Sequence, residues 1–428
     1  MQNRRWLLVV LMFFSSGIGY LDRAAIGIAA PLIAKDFELT PPQLGVALSA
    51  FFVGYSIFAL IGGHAADRFG PKRVIVVAMS LWSIFCGLTG AALGLVTLVI
   101  ARLIFGIGEG PFGPSQAKLV GRWFPRQEQA TAIGLYGAGE AIGGALAGPL
   151  VSFVAIAASW RLSFVLMSVV GLALAIIWAF AVTEWPEQHR GIGEAERRLI
   201  EANRVSETVM PSSSNSLFSA CLKPAILATA FAWFGYAYIL FFFLTWFPSY
   251  LITVHQLSIK DMGMVSALPW IAGFVGRTGR GFVSDLIFRW TGNALFARKL
   301  ILCGGLGIAA LCISLAGAAS SVAVAVGLTS VSVLFLAATA NIYWALMLDL
   351  VPQHQVGGVS GFGLFVGSST GIFAPIITGY LVQWTGAFSS AFMLSGAVAV
   401  AGALGVFLFV RRSAASSEPA RAPVAQTR

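Results

Sequence analysis

Charge is what this sequence has least of. Only 10% of its 428 residues are Asp, Glu, Lys or Arg, while 58% are hydrophobic and the mean hydropathy is +0.85. A soluble domain carries roughly 25% charged residues. A water-facing surface cannot be built from such a composition, so the solvent around most of the chain is lipid. Cysteine is scarce too. Cys86, Cys221, Cys303 and Cys312 form no close CxxC pair and three lie in apolar runs. That excludes a disulfide framework or a zinc site and leaves them as packing residues. The histidines, His64, His189, His255 and His354, sit at helix ends or in loops. No nucleophile–base arrangement, metal-ligand cluster or phosphate-binding loop is present, so neither an enzyme nor a cofactor is expected.

What is abundant is the apolar run. About 20 apolar residues cross the roughly 30 Å of hydrocarbon in a bilayer. Twelve segments qualify: 6–30, 43–63, 74–94, 95–117, 130–156, 162–182, 226–252, 262–284, 299–318, 321–348, 357–383 and 387–410. The first follows a basic start, as in a signal peptide, but it continues past Ala30 without a cleavage site and reads as a membrane helix. The expected fold is therefore an all-α polytopic membrane protein.

Orientation comes from Lys and Arg. With both termini in the cytoplasm, the cytoplasmic segments hold 21 of the 27 and the outer loops hold Lys35, Arg161 and Lys260. The other three, Arg23, Arg102 and Arg277, fall within helices. Such a bias fixes the orientation, and the expected location is a cell (inner) membrane. It also explains the net charge of +10 without a nucleic-acid partner. The polar stretch 183–216 divides the spans six and six and reads as a short amphipathic helix followed by a Ser-rich flexible linker. The expected organisation is a six-helix bundle over 1–182, a cytoplasmic linker over 183–221, a second bundle over 222–412 and a disordered tail over 413–428.

The halves also repeat weakly. GGHAADRFGPKR at 62–73 follows the second span, and GRGFVSDLIFRW at 279–290 follows the eighth. Gly63-x-x-x-Asp67-Arg68-x-Gly70-x-Lys72-Arg73 resembles the signature loop of the major facilitator superfamily. Two parallel six-helix halves are that superfamily's architecture. The stretches YLDRAAIGIAAPLIAKDF (20–37) and RLIFGIGEGPFGPSQAKLVGRWFP (102–125) are similar, more narrowly, to the anion:cation symporter family. That family includes bacterial sugar-acid and aromatic-acid importers and the animal vesicular glutamate and sialic acid carriers. The resemblance implies inward movement of a small organic anion coupled to protons. Where family members often carry asparagine, this chain has Leu364 and Ser368 in the eleventh span and Gly137 in the fifth.

Ionisable residues inside a bilayer cost roughly 2.5–3.5 kcal/mol each on insertion scales and usually mark pathways or relays. Asp22, Arg23, Arg102, Glu109 and Glu140 fall well inside helices, all in the first half. A guanidinium suits a carboxylate substrate, so Arg23 is the candidate anion site. An internal salt bridge to Asp22 or Glu109 would satisfy it equally. Arg102, nearer the outer end, is a candidate for pairing or gating. Burial favours the protonated form of an acid and a neighbouring cation favours the ionised form. Asp22 and Glu109 stand between those influences, and the resemblance assigns their positions to proton coupling. Glu140 admits three readings: a protonated glutamate bonded between helices, a substrate contact, or a further proton site. Tyr20, Tyr55, Tyr236, Asn341 and Ser368 are the candidate polar lining. The whole reads as a proton-coupled importer of a sugar acid or other carboxylate, acting as a monomer. An efflux antiporter or an anion exchanger is the alternative, because Gly144-x-x-x-Gly148-Pro149 partly matches an antiporter signature.

Overall fold

The computed structural model describes residues 4–189, 191–203, 219–340, 342–351 and 355–410. Asn341, His354, the Ser-rich part of the linker and the expected disordered tail lie outside the described residues.

Helices account for nearly all of it. In chain order they are α1 (Arg4–Asp36), α2 (Pro41–Phe69), α3 (Pro71–Gly90), α4 (Leu95–Glu109), α5 (Phe112–Trp123), α6 (Arg126–Ala157) and α7 (Trp160–Ala181). A 3₁₀ turn at Pro186–Gln188 and the short α8 (Glu194–Asn203) follow. The second half holds α9 (Pro224–Thr253), α10 (Ile259–Val265), α11 (Ala267–Thr291), α12 (Ala294–Ala316), α13 (Val322–Thr339), α14 (Ile342–Leu350), α15 (Val356–Thr385) and α16 (Ser389–Phe409). Among the described residues these make twelve spans. Three are broken: α4 with α5, α10 with α11, and α13 with α14. Eleven are long and apolar enough to cross a bilayer by length and composition. The eighth, α10 with α11, is the remaining one, and Arg277, Arg280, Asp285 and Arg289 lower its apolar character.

Local chemistry explains the boundaries. Proline at the first helical position starts α2, α3 and α9, where its missing N–H costs nothing. Ser159, Asn293 and Ser321 cap α7, α12 and α13 by accepting from the amides of Leu162, Phe296 and Val324. The fourth span breaks at Gly110–Pro111, immediately after Glu109.

Packing follows small residues, because lipid offers no hydrophobic drive between helices and close van der Waals contact must supply it. Gly139 and Gly143 of α6 lie against Phe13 and Gly17 of α1, and a Cβ on Gly143 would overlap the Gly17 carbonyl. The two halves meet through α1 with α9, α2 with α15, and α6 with α10 and α11. Their closest approaches pair Gly27 with Leu244, Gly45 with Pro375, Gly379 with Pro41 and Gly148 with Gly263. All four lie toward the ends of the bundle away from the termini. The far side is therefore closed. Nearer the termini, a Cβ added at Gly134, Gly279 or Gly361 would meet nothing within 4 Å.

The amphipathic helix expected in the linker is α8, and it is docked. Glu196 accepts from the backbone amides of Arg4 and Arg5 at 3.1 and 3.2 Å and from Arg5 Nη1 at 2.8 Å. Arg5 Nε reaches Glu128 of α6 at 2.8 Å. Ile200 of α8 is fully buried. One guanidinium thus ties the start of α1, the start of α6 and the linker helix together.

Gly143→Val tests the α1–α6 contact. Overpacking of this kind costs about 1–3 kcal/mol, so the variant should melt at a clearly lower temperature in detergent. An unchanged melting temperature would mean that the two helices do not depend on this approach.

Candidate functional site

Among the described residues, two ion pairs lie inside the bundle. Arg23 of α1 pairs with Glu109 at the end of α4. Their side chains are only 8% and 5% exposed. The Arg23 guanidinium lies 4.6 Å from the ring centre of Tyr55, 4.8 Å from Tyr20 and 5.1 Å from Phe51. Three aromatic faces attract its positive charge while keeping water away. Its Nε and the second oxygen of Glu109 have no partner. The pair therefore retains unused hydrogen-bonding capacity in a dry site, where an unmet polar group costs about 1–3 kcal/mol. Of the two alternatives for Arg23, the one observed here is the internal bridge to Glu109 rather than to Asp22.

Asp22 points elsewhere, as neighbours on a helix must. It is completely buried, and neither carboxyl oxygen has a hydrogen-bond partner. Its electrostatic surroundings are Arg102, Glu109 and the thiol of Cys86. Arg102 is 1% exposed and rests on Phe105 and Phe51, 4.5 and 5.2 Å from the ring centres. Among the described residues no carboxylate lies within salt-bridge distance of it, and its Nε and Nη1 are unpartnered. The expected ion pair of Arg102 is thus absent in this conformation.

The second pair joins the halves. Glu140 of α6 binds Arg277 Nη1 of α11 at 2.9 Å, and the same nitrogen donates to the Gly137 carbonyl at 3.2 Å. This pair is accessible: the side chains are 31% exposed at Arg277 and 25% at Glu140. Arg277 is a sixth deep charge, so these groups are not confined to the first half as the sequence reading had them. Tyr20 bridges the two pairs, with Arg23, Glu140 and Arg277 in its electrostatic surroundings and its ring edge-on to Trp270 at 6.0 Å. Tyr236 and Trp270 share with Arg277 the lining of a cavity of about 30 Å³. Ser368 donates its hydroxyl to the Leu364 carbonyl of its own helix at 2.7 Å rather than to these groups. Asn341 lies outside the described residues.

The signature loop forms a third cluster, on the side of the termini. Gly70 separates α2 from α3 with φ +89°, a conformation suited to glycine. Glu184, just past α7, accepts from the amides of Lys72 and Arg73 at 3.2 and 3.0 Å and from Arg122 at 3.3 Å. A carboxylate there also answers the positive end of α3. Lys72 Nζ donates to the Ala179 carbonyl at 2.8 Å. Asp67 pairs with Lys118 of α5. Arg68 leans on Phe69, and Gly63 has open space around it. The loop thus clasps the ends of α2, α3, α5 and α7.

Twelve spans in two sets of six, with this loop between the second and third, match one family. The model of the Major Facilitator Superfamily fits residues 12–375. The chain belongs to that superfamily. It is accordingly a multi-pass membrane transporter and not an enzyme. The hexuronate transporter of Bacillus subtilis (strain 168) is 43% identical over 406 residues, covering 94% of each chain. The probable galactarate/D-glucarate transporter of the same organism is 31% identical, over 95% of this chain and 92% of its own. Among solved structures, a D-xylose-proton symporter superposes with a TM-score of 0.75 at 17% identity, over 94% of this chain and 97% of the other. That last likeness concerns the fold alone.

Glu184 was not singled out by sequence, because a lone acid at the head of a polar linker resembles any solvated residue. Glu184→Ala removes the shared acceptor of two amides and one guanidinium. Charge-assisted bonds contribute about 1.5–3 kcal/mol, so hydrogen exchange at the Lys72 and Arg73 amides should quicken markedly. Unchanged exchange would show that the loop is held by other contacts.

Proposed function

We propose that this transporter imports a sugar acid together with protons by alternating access. The observation that carries the reading is the buried Arg23–Glu109 pair, walled by Tyr20, Phe51 and Tyr55. A guanidinium held this way suits one competing carboxylate. The names of the two relatives supply the class: hexuronate in one, galactarate and glucarate in the other.

Coupling follows from exchange of partners. The substrate carboxylate takes Glu109's place on Arg23. Glu109 is then a buried acid without its cation, and an uncompensated buried charge costs about 3–5 kcal/mol. It binds a proton instead. Asp22 is fully buried and, among the described residues, has no cation paired with it, so it is proposed to hold a proton in this conformation and to yield it when Arg102 turns toward it. Rocking of the halves moves the closure from the far side to the side of the termini, which the Lys and Arg bias assigns to the cytoplasm. Release of the anion lets Glu109 return to Arg23 and lose its proton. Tyr20, Tyr55, Tyr236 and Asn341 are proposed to serve the sugar hydroxyls, and Ser368 to join them when its hydroxyl leaves the Leu364 carbonyl. The loop from Gly63 through Asp67, Arg68, Gly70, Lys72 and Arg73 is proposed to hold its half rigid during rocking. One chain suffices for all of these steps, and a monomer is proposed.

The test uses purified protein in proteoliposomes with labelled D-glucuronate. Wild type should accumulate it against a gradient when the outside is acidic. Glu109→Gln should lose accumulation at least ten-fold yet retain exchange of internal for external substrate. Uptake without proton movement would overturn symport. Absence of uptake for every sugar acid tried would overturn the substrate class.

A further inference from the structure

We propose that the Glu140–Arg277 pair determines how many carboxylates the substrate carries, admitting sugar acids with one and turning away those with two. The inference rests on the sugar-acid reading above and goes on to say which sugar acids are chosen.

Two of the bundle's guanidiniums, Arg23 and Arg277, are each matched to one glutamate. Arg23 and Glu109 are sealed, at 8% and 5% exposed, whereas Arg277 and Glu140 are reachable, at 31% and 25%. Their positions are complementary: α1 and α4 hold the first pair within one half, while α6 and α11 hold the second across the halves. Tyr20 lies against Arg23 through its ring, and Glu140 and Arg277 are close enough to act on its hydroxyl electrostatically. A sugar acid that sets its carboxylate on Arg23 therefore turns its other end toward Glu140 and Arg277.

The chemistry there is neutral overall but rich in acceptors. A carboxylate has about four lone-pair sites, and Arg277 engages one oxygen of Glu140. The rest can accept from sugar hydroxyls. Unlike the sealed Arg23, which gives up Glu109, the part-exposed Arg277 keeps Glu140 beside it, so a second carboxylate would meet Glu140 as a like charge. This is discrimination by an unfavourable contact against the wrong partner. Replacing Glu140 by glutamine keeps the shape and removes the matching charge. Arg277 is then a second unmatched cation, and the second carboxylate of an aldaric acid is the group that answers it.

The experiment compares D-glucuronate, with one carboxylate, and D-glucarate, with two, as competitors of labelled D-glucuronate uptake in proteoliposomes. Wild type should prefer glucuronate by at least about ten-fold. In Glu140→Gln that preference should fall at least about ten-fold, and adding Arg277→Gln should cancel the change. Should Glu140→Gln fail to fold, Glu140→Ala carries the same expectation, and the wild-type preference stands as a test by itself. Glucuronate uptake with an unchanged preference in the variant, or equal acceptance of both acids by wild type, would overturn this inference and leave sugar-acid transport intact. No uptake of either acid by wild type would overturn both.

Discussion

A guanidinium in the middle of a hydrocarbon-spanning bundle is costly without an anion, and the arrangement around Arg23 answers that cost. Its charge is permanent in proteins, so it cannot be relieved by losing a proton, as an acid can by gaining one. The helices bring it one carboxylate, from Glu109, and three aromatic faces, from Tyr20, Phe51 and Tyr55. The fourth span breaks just after Glu109, at Gly110–Pro111, so the acid sits at a helix end rather than within a continuous ladder. Close glycine contacts hold α1 against α6, which fixes the helix that carries both Asp22 and Arg23. A rigid first half with one exchangeable ionic contact is the physical requirement for linking an anion to a proton.

The two internal pairs divide the work by exposure. Where water is excluded, a change of ionic partner is expensive enough to oblige a proton to move. At Glu140 and Arg277, which are part-exposed, the same pairing is softer, and there the proposed recognition of hydroxyl groups and of charge number is placed. Arg102 and Asp22 form a third element, a guanidinium and an acid that are both deeply buried yet unpaired in this conformation. Their separation here leaves a contact to be made in another state, consistent with closure on the far side alone.

Much of this was legible in the sequence because lipid imposes strict rules. Apolar length marked the spans, eleven of which are long and apolar enough in the structure to cross a bilayer. The fourth span ran longer than read, to Trp123 instead of 117, since Lys118 and Arg122 look like loop residues until Asp67 and Glu184 are seen to pair with them. Asp22, Arg23, Arg102 and Glu109 stood out as charges in apolar runs. Arg277 did not, because its neighbours Arg280, Asp285 and Arg289 made the end of that span look cytoplasmic. Its partnership with Glu140 crosses 137 positions of chain, and no local pattern carries such a contact. Of the polar lining, Tyr20 and Tyr55 lie on Arg23, whereas the Ser368 hydroxyl serves its own helix. Helical periodicity cannot separate those outcomes, since serine satisfies itself on the preceding turn as readily as it binds a solute.

The central claim is that substrate replaces Glu109 on Arg23 and obliges that acid to take a proton. Infrared difference spectra of purified protein, recorded with and without D-glucuronate, report the change directly. The account predicts that substrate produces a carbonyl band of a protonated carboxylic acid, present in wild type and missing in Glu109→Gln. Binding of D-glucuronate with no such band, or with a band that persists in Glu109→Gln, would contradict it.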